Sequence, residues 1–147
     1  MQQKELTSIL SDATLRDIMN TNIIAVRNDT NLDDVLRNYF GVRMKIALPV
    51  TDDSGSLLGM ITLPIVSRIS EHKRQYTVVG DVMIPRDELI VMDITKNAND
   101  ALNEMVKRKM NMIFLSNSNG KIEGLVTKTG YLKHSSRKAK IFSYGTK

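Results

Sequence analysis

Cysteine and tryptophan are missing from this 147-residue chain, proline occurs three times, and aromatic residues make up only 5%. Without cysteine there is no disulfide framework, no thiolate zinc site and no cysteine nucleophile. Two histidines, His72 and His134, are too few for a histidine metal cluster without carboxylate help, so no metal site is expected. The thin aromatic content leaves little material for stacking nucleic-acid bases. Apolar runs such as Leu57–Ile61 and Met112–Leu115 are strand-sized and far short of a bilayer span. The polar start, Met1-Gln-Gln-Lys-Glu-Leu, lacks the apolar stretch of a signal peptide. These absences lead us to expect a soluble cytoplasmic protein, or the cytoplasmic domain of a membrane protein. No Ser/His/Asp set, P-loop or dinucleotide glycine fingerprint stands out, so a non-enzymatic module is expected, with no cofactor required.

What is present is ordinary globular material, with 41% hydrophobic and 25% charged residues. The length fits one domain or two small subdomains. The net charge of +5 is unevenly placed. Residues 121–147 carry seven Lys/Arg against the single acid Glu123, so the rest of the chain is close to neutral.

The chain also repeats itself. Leu15-Arg16-Asp17-Ile18-Met19 is echoed by Val79-Gly80-Asp81-Val82-Met83, and Asn31-Leu-Asp-Asp34-Val-Leu36 by Asn97-Ala-Asn-Asp100-Ala-Leu102. Gly55 and Gly120, Gly59 and Gly124, and Thr62 and Thr127 keep one common offset. Slight drift in the offset is read as small insertions in turns. The resulting division is an N-terminal segment (1–11), a first repeat (12–72), a second repeat (73–135) and a basic tail (136–147).

Each repeat reads as strand–helix–strand–strand–helix. Ile23–Val26 and Leu89–Met92 are short apolar runs suited to a first strand. Asn31 and Asn97 stand as helix N-caps, each with an aspartate three residues on. Apolar positions at 32, 35, 36, 39, 40 and at 98, 101, 102, 105, 106 form one stripe on each helix. Ile46–Val50 with Leu57–Ile61, and Met112–Leu115 with Ile122–Val126, make strand pairs across Gly-containing turns. A last helix follows Thr62 or Thr127, with Pro64 tolerated in its first turn. A unit of this size leaves much apolar surface exposed, so a core shared by the two repeats is expected.

The doubled Asp-Ile-Met and Asp-Val-Met runs, Leu48-Pro49-Val50-Thr51-Asp52 and Gly59-Met-Ile-Thr62 resemble a tandem pair of CBS domains, a Bateman module. The resemblance runs from about residue 12 to 135. It implies a mixed α/β fold of two CBS subdomains related by a pseudo-twofold axis. It also implies a regulatory module that binds AMP, ADP, ATP or S-adenosylmethionine in clefts between the repeats and pairs into a homodimer. Its partner or parent chain would be an enzyme or a membrane protein. The stretch Arg74–Met83 is similar to the join in CBS pairs that trail site-2-type membrane metalloproteases.

Carried over from the resemblance, Ile24 and Ala25 in the first repeat and Leu89 and Ile90 in the second would flank adenine. Thr62 and Thr127 would meet phosphate, and Lys128 would attract it. The family's ribose-binding aspartate is replaced by Ile65 and Gly130. A carboxylate on ribose hydroxyls makes charge-assisted bonds worth about 1.5–3 kcal/mol each. Its loss weakens a nucleoside roughly ten- to a hundred-fold. Tight adenosine binding is therefore not expected in the first repeat, while Gly130 leaves room in the second.

Plainer explanations stand beside these. The threonines serve as N-caps whether or not a ligand comes, and the flanking apolar residues serve as core. The methionines, Met105 on the stripe among them, are core fillers or adaptable dimer contacts. The tail, His134-Ser-Ser-Arg137-Lys138-Ala-Lys140-Ile-Phe142-Ser-Tyr144, reads as a solvated end, an apolar anchor, or a patch for acidic lipid or nucleic acid. Structural dimerisation with vestigial sites is the alternative to ligand sensing. Nucleic-acid binding is the third and least favoured function.

Overall fold

The computed structural model describes residues 14–42 and 45–128. Along the chain a short helix α1 (Leu15–Ile18) precedes strand β1 (Val26–Arg27) and helix α2 (Leu32–Asp34), which continues as π-helical turns over Val35–Gly41. Strands β2 (Ala47–Thr51) and β3 (Leu57–Thr62) lead to helices α3 (Leu63–Arg68), α4 (Glu71–Arg74) and α5 (Val79–Val82). Strand β4 (Ile84–Pro85) and a 3₁₀ turn (Arg86–Glu88) come before β5 (Val91–Asp93), α6 (Ala98–Arg108), β6 (Met112–Ser116) and β7 (Ile122–Thr127). The alternation read from the sequence is therefore present in both repeats, up to the start of the helix after β7. The tail from residue 129, Gly130 included, lies outside the described residues.

The fold is mixed α/β with two sheets, one of order β1-β2-β3-β4 and one of order β5-β6-β7. In the first, β1 runs parallel to β2 with Val26 opposite Val50, and β2 runs antiparallel to β3 with Leu48 opposite Ile61. In the second, β5 runs parallel to β6 with Val91 opposite Phe114. The β2–β3 turn is held by the Asp52 carboxylate, which accepts from the Ser54 and Ser56 amides at 2.9 and 3.0 Å. Gly55 completes it at φ +89°, where a side chain would be strained.

Both predicted helix caps are in place. The Asn31 side chain accepts from the Asp34 amide and that of Asn97 from the Asn99 amide, each at 2.8 Å. The first strands begin later than the apolar runs suggested, at Val26 and Val91. They pair only where a parallel neighbour in β2 or β6 supplies partners. Ile46, assigned to a strand from sequence, lies just ahead of β2 and is 71% exposed.

The compact units are not simple stretches of chain. One comprises Ile24–Leu89 with Gly120–Ile122. The other comprises Ile90–Asn119 with the described residues up to Ile23 and from Glu123. The first residues of the first repeat, up to Ile23, thus pack with the second repeat's elements. The Leu15 amide donates to the Lys96 carbonyl at 2.9 Å, and Asn20 exchanges two backbone bonds with Leu125. Within the other unit the Val79 amide donates to the Thr30 carbonyl at 2.8 Å, and Ile84 pairs with Met60.

Glycines on β3 and β7 permit these approaches. A Cβ on Gly59 would sit 2.2 Å from the Ile84 carbonyl oxygen, and one on Gly124 would sit 2.9 Å from the Met19 sulfur and 3.0 Å from the Asn20 carbonyl oxygen. The doubled Asp-x-Met motif is therefore structural, because its methionine lies over a glycine of the strand it joins.

Most buried side chains fall into two clusters, one in each compact unit. Leu15, Ile90, Ile94, Ala98, Ala101, Leu102, Met105, Ile113, Leu115 and Val126 form one. Val26, Leu32, Val35, Phe40, Leu48, Val50, Ile61, Val66 and Val79 form the other. Leu15 and Val79, each fully buried, complete the cluster formed by the other repeat's elements. The helix stripes also need correction. Val106, placed on the buried stripe by spacing, is 54% exposed, because α6 turns only Ala98, Ala101, Leu102 and Met105 inward.

Leu15→Ala should cost about 2–5 kcal/mol, the range for truncating a buried leucine. Hydrogen exchange should locate the loss on α6 and β6 and leave β2 and β3 protected, although Leu15 belongs in sequence to the first repeat.

A second expectation concerns acid. Asp52 is held below its ordinary value of 3.8 by the Ser54 hydroxyl and then the Ser56 amide, and Asp93 by the Thr95 hydroxyl and amide. A folded pKa below the unfolded one gives stability that is complete above about pH 4 and lost as pH falls through the folded value. Urea midpoints should therefore drop between pH 4 and pH 2, and Asp52→Asn with Asp93→Asn should flatten that drop.

Candidate ligand site

The first repeat's candidate residues gather around the start of α3. Thr62 ends β3 in extended conformation and serves as N-cap, its hydroxyl accepting from the Ile65 amide at 3.4 Å. The Leu63 amide donates to the Ile46 carbonyl at 2.8 Å. Pro64 has no amide hydrogen. The three positions after Thr62 thus offer a ligand no free backbone donor: two amides are bonded within the protein and the third is absent. A helix start attracts phosphate through such unpartnered amides, and here they are consumed.

The surrounding side chains are apolar. Ile65, where the resemblance places an aspartate, is half-buried and packs against the cluster around Val26 and Val66. Ile24 packs against the same cluster, whereas Ala25 is exposed. Both lie just ahead of β1, outside the strand.

In the second repeat Leu89 and Ile90 are buried, on the approach to β5. Leu89 closes the 3₁₀ turn, and the Ile90 carbonyl accepts from the Phe114 amide at 2.9 Å. Leu89 and Ile90 fall in different compact units. Thr127 ends β7 as Thr62 ends β3, and both it and Lys128 are half-buried. The Lys128 amide donates to the Asn111 carbonyl at 2.8 Å, repeating the Leu63–Ile46 bond. Beyond it the sequence has Thr129 where the first repeat has Pro64.

Two features of these helix starts escaped the sequence reading. One is the carbonyl that takes the first amide, from Ile46 or Asn111. The common offset of Ile46/Asn111 and Leu63/Lys128 was available in the sequence, but their pairing was not. The other is the effect of Pro64, read from sequence only as a tolerated residue. Its missing amide counts only once the neighbouring amides are seen to be taken. Among the described residues no group of His, Asp or Glu is placed to hold a metal ion, and no helix is long and apolar enough to cross a membrane.

The family model of the CBS domain matches residues 15–68 and 79–137, and the chain belongs to that family as a tandem pair. No curated protein matches it in sequence. Among solved structures it is similar to the CBS domain of the bacterial CNNM/CorC family Mg2+ transporter in complex with ATP. That match has a TM-score of 0.76 at 21% identity and covers 92% of this chain and 98% of that one. It is also similar to CBSX2 in complex with AMP, a CBS-pair protein known from Arabidopsis thaliana, with a TM-score of 0.70 at 23% identity, covering 84% and 96%. Protein MJ1004 of M. jannaschii matches with a TM-score of 0.77 at 22% identity. There the match covers 84% of this chain, which spans 60% of that protein's length. At these identities the likeness is one of fold.

Thr62→Ala should lower stability by about 0.5–1 kcal/mol, the lower part of the range for an N-cap, because the cap bond is long. Thr62→Ser should be close to neutral. Chemical denaturation of the three proteins checks both values.

Proposed function

We propose that this CBS pair is a regulatory, ligand-sensing module, and that what nucleotide affinity it has resides in the second repeat. The observation that carries this reading is the contrast between the two helix starts. After Thr62 the amides are bonded or missing, and Ile65 presents hydrocarbon where ribose hydroxyls would need partners. After Thr127 the sequence supplies a cation at Lys128, an amide at Thr129 where proline stood, and no side chain at Gly130. Such a start suits the phosphate of an adenine nucleotide, or another adenosyl ligand, with Leu89 and Ile90 as the adenine-flanking pair. Neither repeat has the ribose carboxylate, so the affinity is modest.

Two of the similar structures hold AMP and ATP, which supports an adenine nucleotide as the first ligand to try. We extend the proposal to a homodimer that reports the ligand's presence to an enzyme or membrane protein, on the same chain or a separate one. The mechanism is a population shift: the ligand favours whichever arrangement binds it better, by its difference in affinity for the two.

A thermal-shift titration with AMP, ADP, ATP and S-adenosylmethionine tests the reading. A ligand at 100 times its dissociation constant adds about 2.7 kcal/mol, which raises the melting midpoint by several degrees in a protein of this size. The rise should vanish in Thr127→Ala and persist in Thr62→Ala. A flat response to all four at millimolar concentration would instead mark both sites as vestigial and the module as a structural one.

A further inference from the structure

The first repeat carries one residue more than the second between its helix cap and the carbonyl that receives the next helix's first amide. That span runs from Asn31 to Ile46, against Asn97 to Asn111. Within that span the two helices differ in type. In the second repeat α6 is α-helical from Ala98 to Arg108, whereas the first repeat's helix turns π-helical at Val35 and stays so to Gly41. A π turn closes its hydrogen bond one residue further along than an α turn, so π turns absorb an inserted residue.

Burial places the insertion. Leu32 and Val35 are buried as Ala98 and Ala101 are, matching residue for residue from the two caps. Continued in α register, the inward position that matches Met105 in count from the cap would belong to Tyr39. Tyr39 is only half-buried, and Phe40 fills the core in its place at 4% exposure. Two neighbouring aromatic residues thus border one core position, Phe40 inside it and Tyr39 packed against its edge, about 100° apart around the helix axis.

We propose that this helix is a two-register element. In the π register Phe40 occupies the core. In the α register Tyr39 occupies it, and one residue passes to the connection ahead of Ala47. The two forms are balanced by opposing terms. The π register buries a wholly apolar ring but forgoes regular α hydrogen bonds. The α register regains those bonds but buries a phenol that needs a partner. The Asn38 side-chain amide donates to the Asp34 carboxylate across the point where α gives way to π. Val42, directly after the π turns and 73% exposed, turns with the register and changes the surface offered there. The connection ends at Ile46, whose carbonyl receives the first amide of α3, so the register is tied to the helix start at Thr62. None of this depends on whether a ligand binds.

The test is ¹⁵N relaxation dispersion on the full chain, since helix register shifts fall in the microsecond-to-millisecond range. The wild-type protein should show exchange at amides 35–42. Two variants should abolish it by opposite routes. Deleting Asn38 removes the spare residue and leaves an α-helix with Phe40 inward. Tyr39→Asp puts a charge on the side chain that the α register would bury, and so holds the π register. A wild-type protein without dispersion in this segment overturns the proposal, and so does dispersion that persists in Tyr39→Asp.

Discussion

The structure depends on two buried side chains that lie outside the strands and long helices they stabilise. Leu15 and Val79 each head a short helix, are fully buried, and fill cores that a single repeat would leave open. Their backbone amides are bonded to the carbonyls just before the caps Asn97 and Asn31, so the apolar contact and the hydrogen bond select the same docking position. Each anchor is followed by a methionine over a strand glycine and a short run of antiparallel pairing, as in Met19–Gly124 with Asn20–Leu125. A repeat of this size gains its core from a piece of chain contributed from elsewhere, which answers the shortage of buried surface in small units.

That arrangement also governs chemistry. The helix starts after Thr62 and Thr127 are positioned by strands β3 and β7, and each spends its first amide on a carbonyl ahead of the neighbouring strand. The scaffold leaves only a few positions in which the two sites can differ. In the first repeat proline and isoleucine occupy them, and the helix start becomes an ordinary cap on an apolar patch. In the second repeat the sequence has Thr129 and Gly130 at those positions.

Much of the fold was legible beforehand. Asn31 and Asn97 announced helices because a short amide side chain before an apolar stripe satisfies otherwise unpaired amides, and both do so. Strands β2, β3, β6 and β7 were visible as apolar runs around Gly55 and Gly120, whose positive φ values the turns require. The stripe was read correctly at Leu32, Val35 and Phe40, with Leu36 and Tyr39 packed against the same core, and at Ala98, Ala101, Leu102 and Met105. It failed at Val106, where α-helical spacing alone did not show how far the apolar face extends. Spacing also did not show that the first repeat's helix turns π-helical from Val35, with Phe40 more deeply buried than Tyr39. The candidate site was legible by resemblance at Thr62 and Ile65 and illegible at Ile46, whose role is carried by a backbone carbonyl that any residue would supply.

The sequence by itself determined the doubled order of elements, the caps, the turns and the membership in a family of paired repeats. All of these follow from side-chain periodicity and from residues acting on neighbours a few positions away. Only the tertiary structure decided which core Leu15 and Val79 complete, which carbonyls consume the amides after Thr62 and Thr127, and which of two adjacent aromatic residues is buried. Those outcomes rest on contacts between residues far apart in the chain and on helix geometry, and local spacing encodes neither.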